Sequence, residues 1–227
     1  MMTNKTALIL GATGLVGTQL VKELSNSKIY SEIHLLTRSE MKITDAKCIG
    51  HVVDFDNLSK YAGLFKVSDV FICLGTTIKK AKSKEAFRKV DYDYVIEAAK
   101  MAKTANVEKL LVITAMGANS KSKFFYSRVK GDVEGTIQHL ELNTVHIFRP
   151  SLLLGERKEF RAGDKISGLI SNFAKYVFVG PIRSYRAIEA NKVAAAMYAA
   201  AQTTVRGYHF YNSDEIETFA QRETINQ

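Results

Sequence analysis

Tyr126 and Lys130, in the run Tyr126-Ser127-Arg128-Val129-Lys130, stand four residues apart and therefore share one face of any helix that contains them. An ammonium held beside a phenol stabilises the phenolate and lowers the phenol's pKa. That makes Tyr126 a competent proton donor or acceptor for a carbonyl/alcohol couple. Twelve residues before the tyrosine, Thr114 follows the apolar run Leu110-Leu111-Val112-Ile113 and offers a hydroxyl to a substrate oxygen. A Tyr-x-x-x-Lys pair recurs by chance in many proteins, so its meaning depends on what the rest of the chain builds around it.

A second constellation lies at the beginning of the chain. Gly11-Ala12-Thr13-Gly14-Leu15-Val16-Gly17 directly follows the apolar run ending at Leu10 and precedes Leu15, Leu20, Val21 and Leu24 on helical spacing. In a G-x-x-G-x-x-G turn between a strand and a helix, Gly11 permits the tight bend and Gly14 lets backbone approach a diphosphate. Gly17 lets the helix pack close to the strand, and the helix N-terminus offers free N–H groups and the positive end of its dipole. Thr13, Leu15 and Val16 complete this dinucleotide-binding turn. At the end of the second strand, where a carboxylate would bind the adenosine ribose of NAD, the chain instead reads Leu36-Thr37-Arg38-Ser39. The Arg38 guanidinium suits a ribose 2′-phosphate and Ser39 adds a hydroxyl, so NADP(H) is preferred and NAD(H) is the lesser alternative. Asp54-Phe55 closes the third strand, where the carboxylate either accepts from the adenine amino group or caps a helix over 57–62. Leu74-Gly75-Thr76-Thr77 follows the fourth strand; the glycine lets backbone pass close to adenine and ribose, and the threonines serve there or as turn residues. With a dinucleotide in place, Lys130 has a second task, holding the nicotinamide ribose hydroxyls.

These residues need a scaffold that brings them to one edge. Apolar strands alternate with helical stretches: 5–10, helix 14–26, 32–37, 49–54, 69–75, helix 84–105, 109–115, helix 126–141, 144–149, helix 189–201 and 207–211. Such alternation predicts an α/β fold, a doubly wound parallel sheet of the Rossmann kind covered on both faces. All 227 residues form one domain, and 155–187 breaks the rhythm with Gly155, Gly163, Gly168, Gly180 and Pro181. That insertion reads as a lid or substrate segment, because it leaves the sheet at a carboxyl end, where open α/β sheets bind ligands. Phe124, Phe125, Phe160, Phe173 and Tyr185 supply either a substrate wall or packing.

Composition removes other classes. With 46% hydrophobic and 24% charged residues, fourteen glycines and two prolines, the chain is neither disordered nor collagenous. Its pure apolar runs fall far short of the roughly 18 residues a membrane span needs. A short N-terminal apolar run argues against a signal peptide, so the chain reads as cytoplasmic. Cys48 and Cys73 lie in strand-like stretches as buried thiols, and no Cys/His spacing suits a metal. The net charge of +9 is concentrated in 79–84 and 121–130. No nucleic-acid recognition motif accompanies it, so a solvated basic face beside a phosphate ligand accounts for the lysines.

Taken together, Gly11 to Gly17, Cys73 to Thr77, Thr114 with Gly117-Ala118, Tyr126 to Lys130 followed by Gly131 and Glu134, Phe148 to Gly155, and Asn191-Lys192-Val193-Ala194 resemble the short-chain dehydrogenase/reductase superfamily. Within it the chain is similar to the atypical, compact branch of Tat-interacting-protein-type oxidoreductases. The resemblance implies a Rossmann fold, NADP(H) binding, a Ser/Thr-Tyr-Lys triad on Thr114, Tyr126 and Lys130, and a nicotinamide pocket lined by Pro150, Ser151, Leu152 and Leu153. Two departures stand out: Thr114 replaces a frequent serine, and Asp91 and Asp93 stand where many members use an asparagine in a proton relay. The function so implied is reduction of a small-molecule carbonyl substrate by NADP(H). A non-catalytic NADP(H)-binding regulator and a nucleotide-sugar epimerase or dehydratase are the alternatives. No membrane or nucleic-acid partner is implied, and a homo-oligomer is compatible with the chain.

Overall fold

The computed structural model describes residues 4–154 and 187–225. Seven parallel strands form the central sheet: β1 (Lys5–Leu10), β2 (Tyr30–Thr37), β3 (Cys48–Val52), β4 (Asp69–Ile72), β5 (Lys109–Ile113), β6 (Thr144–Arg149) and, after a short pair described below, β9 (Gly207–Asn212). Their spatial order is β3-β2-β1-β4-β5-β6-β9. The order reverses beside β1, between β1 and β4, which is where an open α/β sheet opens a crevice for a ligand.

Strand residues alternate between the two faces, and both faces are buried. On one side Leu8, Leu10, Val70, Ile72, Leu110, Val112, Val145 and Ile147 meet two helices, α4 (Tyr94–Thr104) and α5 (Phe125–Gln138). The other side places Ala7, Ile9, Phe71, Leu111 and Phe148 against α1 (Leu15–Asn26) and α6 (Ala190–Gln202). Each fully buried leucine or phenylalanine here contributes about 1.5–3 kcal/mol of burial energy. The small side chains Ala194, Ala196, Ala200 and Ala201 of α6 are buried in the same cluster as Val16, Leu20 and Leu24 of α1.

Every helix and every sheet strand anticipated from the periodicity is present, with ends shifted by a few residues. The structure adds several elements. A 3-10 segment covers Phe55–Phe65, a short α2 (Ile78–Ala81) precedes α3 (Lys84–Arg88), and a π-turn at Lys89–Asp93 joins α3 to α4. The last helix, α7 (Ser213–Ile225), packs on α6 and buries Ile216 and Ala220. Finally, β7 (Leu153–Leu154) pairs in parallel with β8 (Ile188–Glu189), tying together the chain on either side of 155–186. The lid expected at 155–187, with Phe160, Phe173 and Tyr185, lies outside the described residues except for Ala187. Among the described residues no helix is long and apolar enough to cross a membrane.

Candidate active site

The turn after β1 has the geometry its glycines predict. Gly11 has φ +89°, and a Cβ there would stand 2.6 Å from the Cys73 carbonyl oxygen at the end of β4. A Cβ on Gly17 would collide with the Gly11 carbonyl at 2.1 Å, so this helix position admits only glycine at the observed packing. Gly14 precedes α1 without any side-chain cap, and its own N–H donates to Gly11 O at 3.0 Å. The first-turn N–H groups at Leu15, Val16 and Gly17 have no acceptor within the helix, and Thr13 is exposed beside them, a cradle that fits a diphosphate.

Beyond the turn, a depression of about 480 Å³ is lined by Arg38, Val53, Asp54, Phe55, Tyr61 and Tyr94, among others. Three residues expected at the adenosine end thus meet in one place, and Ser39 is exposed next to Arg38. Asp54 accepts from Asn57 Nδ2 at 2.6 Å and from the Asp56 amide at 2.9 Å, bonds that hold its carboxyl below the usual carboxylate range. It is the N-cap of the 3-10 segment, so the capping alternative is realised, on the wall of the depression.

After β4 the chain passes through half-buried Leu74 and exposed Gly75. The Thr76 amide donates to Asp91 Oδ2 at 2.8 Å, and Thr77 caps α2 by accepting the Lys80 amide at 3.2 Å. Thr77 is therefore a turn and cap residue in this structure.

Helix α5 carries Tyr126 and Lys130 on one face, as their spacing requires. Tyr126 is 39% exposed, with its ring 5.7 Å from that of buried Phe87. Lys130 is buried, and its Nζ lies 2.8 Å from Asp91 Oδ1, itself 1% exposed. Here the structure corrects an expectation. The Tyr126 phenol is not lowered by the ammonium; desolvation first and the Asp91 carboxylate second push it up to about 12. The Lys130 ammonium is itself paired with the Asp91 carboxylate. Asp93, the other acid considered for a relay, is exposed.

Thr114 requires a second correction. It is 4% exposed, and its hydroxyl donates to Glu134 Oε1 at 2.6 Å. Glu134 is gripped in turn by Arg149 through Nε at 2.9 Å and Nη2 at 2.5 Å. The hydroxyl proton expected to serve a substrate is thus given to the Glu134 carboxylate of a partly buried ion pair. Glu134 lies four residues beyond Lys130 and eight beyond Tyr126 on the same helical stripe, a spacing that signals its inward direction. At the carboxyl end of β6, buried Pro150 accepts the Met116 amide at 3.0 Å and Ser151 N donates to Ser213 Oγ at 2.7 Å. Leu152 is 55% exposed and its carbonyl accepts from Ile188, while Leu153 pairs in β7.

Comparison with known proteins agrees with this geometry. Residues 11–161 match a family described as NAD(P)H-binding. The rat protein HTATIP2 is 37% identical over 167 residues, 72% of this chain and 69% of that protein. The mitochondrial protein FMP52 of Candida albicans is 36% identical over 193 residues, 82% of this chain and 84% of its own length. Among solved structures, MoeE5 in complex with UDP-glucose and NAD superposes with a TM-score of 0.68 at 15% identity, over 96% of this chain and 82% of that one. The UDP-Glc/GlcNAc 4-epimerase of Campylobacter jejuni gives a TM-score of 0.68 at 11% identity, over 95% of this chain and 82% of the epimerase. At such low identity these structures establish the fold alone. With a glycine cradle, a parallel doubly wound sheet and relatives that match across most of their length, the chain belongs to the NAD(P)H-binding Rossmann family that includes HTATIP2 and the FMP52 proteins.

Proposed function

We propose that the protein is an NADP(H)-dependent reductase of small carbonyl compounds. The observation that carries this reading is the Tyr126/Lys130 face of α5, with the lysine fixed at 2.8 Å by Asp91 beside the loop that follows β4. When bound, a reduced nicotinamide supplies the hydride. The residues of this chain do the rest. The glycine turn holds the diphosphate, Arg38 faces the 2′-phosphate, Lys130 holds ribose hydroxyls, and Tyr126 stands as the general acid. Reduction balances simply: the carbonyl carbon gains a hydride, its oxygen takes the phenol proton, and solvent returns a proton to the phenolate. Thr114 acts in this scheme as a positioning residue, bracing Glu134 and thereby α5 against the end of β5. The same engagement of Thr114 favours a second reading, a cofactor-binding regulator without turnover.

Tyr126→Phe separates the two. The reductase reading expects NADPH affinity to stay within about twofold while NADPH oxidation with a panel of aldehydes, ketones and quinones falls by about a hundredfold or more. A wild-type protein that binds NADPH but oxidises it no faster than buffer across that panel, with Tyr126→Phe indistinguishable from it, speaks for the regulator.

A further inference from the structure

Of the chain's five histidines, His34 of β2 and His51 of the edge strand β3 face each other through ring nitrogens. His34 Nδ1 lies 2.9 Å from His51 Nε2, with the ring centroids 5.1 Å apart and tilted by 41°. On its other side, His34 Nε2 lies 2.7 Å from Glu32 Oε1. A carboxylate has no proton to give, so a neutral His34 donates there from Nε2 and its Nδ1 is the bare, accepting nitrogen. The proton between the rings then belongs to His51. Burial first, and His34 after it, hold the His51 pKa below the ordinary histidine value, so this ring is neutral at about pH 7.

One ring nitrogen held by a carboxylate, the other turned toward a place a cation can take, is the arrangement of a metal-binding histidine; the carboxylate fixes the ring and makes its free nitrogen a better ligand. With metal–nitrogen bonds of about 2.0 Å, ligands at a right angle stand about 2.8 Å apart and tetrahedral ones about 3.3 Å apart. The observed 2.9 Å is the edge of a tetragonal site, the geometry of Cu2+ rather than Zn2+. The place is open to water: Ile49, paired in register with His34, is 40% exposed. Among the described residues no three His, Cys, Asp or Glu side chains converge on a metal position, so two imidazoles and water make up the ligand set. We infer that His34 and His51 form a binding site for one divalent transition-metal ion of tetragonal preference, Cu2+ foremost, with Glu32 bracing the His34 ring. On binding, both rings rotate to aim the facing nitrogens at the ion, the His51 proton moves from Nε2 to Nδ1 through solvent, and His34 keeps its bond to Glu32. The ion ties β2 to the sheet's edge strand. Sequence spacing hides the site, because the two histidines are 17 residues apart and meet only through the pairing of β2 with β3. Neither lines the depression at Arg38, Asp54 and Phe55, and the inference is independent of the reductase reading.

The test is titration of the full chain with CuCl2, glycine being the competing ligand, followed by calorimetry and electron paramagnetic resonance. Wild type should take up one ion per chain, with a tetragonal signal split by two imidazole nitrogens. His51→Gln should lose the two-nitrogen pattern and bind at least tenfold more weakly. Glu32→Gln keeps both ligands and removes only the carboxylate that braces His34, so it should retain the pattern and bind about tenfold more weakly. Its side chain is 45% exposed, so this variant carries the test should loss of an imidazole unfold the chain. His139 is bonded through Nδ1 to Gly135 O of its own helix, and His139→Gln should bind like wild type. No uptake by wild type, a signal from a single nitrogen, or affinity unchanged in both His51→Gln and Glu32→Gln overturns the inference. No readout involves NADPH or turnover, so failure of the reductase reading would show separately, in its own assays.

Discussion

Arg38 stands exposed at the end of β2 on the rim of the depression that Asp54 and Phe55 also line. A guanidinium presents two parallel donors to a phosphate, and a charge-assisted contact of this kind contributes about 1.5–3 kcal/mol. Arg38→Ala should therefore weaken NADPH about ten- to a hundredfold and leave NADH almost unchanged, measured by titration of either cofactor. Equal wild-type affinity for the two would remove the 2′-phosphate assignment. A second residue governs stability rather than binding. His146 is fully buried, with Nδ1 2.9 Å from Tyr211 OH and its ring stacked on His209 at 5.3 Å. Burial first, and His209 and Lys109 after it, push its pKa down to about 3. In the unfolded chain the imidazole takes up a proton near pH 6.5, whereas in the fold it does so only near 3, so its contribution is complete above about pH 6.5 and lost as pH falls toward 3. Between pH 7 and pH 4 this single group should cost the fold roughly 2–4 kcal/mol. Urea unfolding at both pH values should show that loss in wild type and a clearly smaller one in His146→Phe.

At the scale of elements, the glycine turn and α5 are each held by contacts that exclude a side chain. A Cβ at Gly131 would lie 2.1 Å from the Ser120 amide nitrogen, so the loop after β5 is pressed directly onto the helix bearing Tyr126 and Lys130. Gly17→Ala should force α1 away from the Gly11 carbonyl, lower the melting temperature by several degrees and cut NADPH affinity at least tenfold. Gly135→Ala, where a Cβ meets nothing within 4 Å, is the matched control and should bind NADPH as wild type does. This contrast also shows what sequence could reveal. Strands with continuous apolar runs, and helices such as α1 and α4 with a clear apolar stripe, were legible because their signals are local. The π-turn was not, since it depends on Asp91 finding Lys130 on another helix and Thr76 on a loop. Likewise β7 and β8 are two residues each and exist only through one another. In α7 the opening Ser213-Asp214-Glu215 carries no apolar stripe, and the helix is fixed by seating Ile216 in the core with α6 and by burying Ala220. Thr114 was recognisable as a hydroxyl at a strand end, yet its use depended on the reach of Glu134 from α5, which no spacing within β5 could show.

For the molecule as a whole, the placement of charge matters more than the net value of +9. Arg38 follows β2, the lysines of 79–84 follow β4, and Lys121 and Lys123 lie between β5 and α5. All of these positions lie beyond carboxyl ends of parallel strands, the edge that also carries the glycine cradle and the Tyr126/Lys130 face. Excess cation on one edge concentrates anions there and speeds their arrival, an effect that salt screens over about 8–10 Å. NADPH carries roughly two more negative charges than NADH through its 2′-phosphate, so steering should favour it before any contact with Arg38 is made. Stopped-flow association followed by nicotinamide fluorescence should show the NADPH on-rate falling roughly tenfold between about 0.02 and 0.3 M salt, with a distinctly shallower fall for NADH. Replacing Lys79, Lys80, Lys82 and Lys84 together by Gln should flatten the NADPH slope while leaving the dissociation rate close to wild type, because these lysines act at a distance. If the two cofactors share one salt slope, or if the fourfold variant alters dissociation instead of association, the basic edge has no steering role and its lysines are a solvated surface.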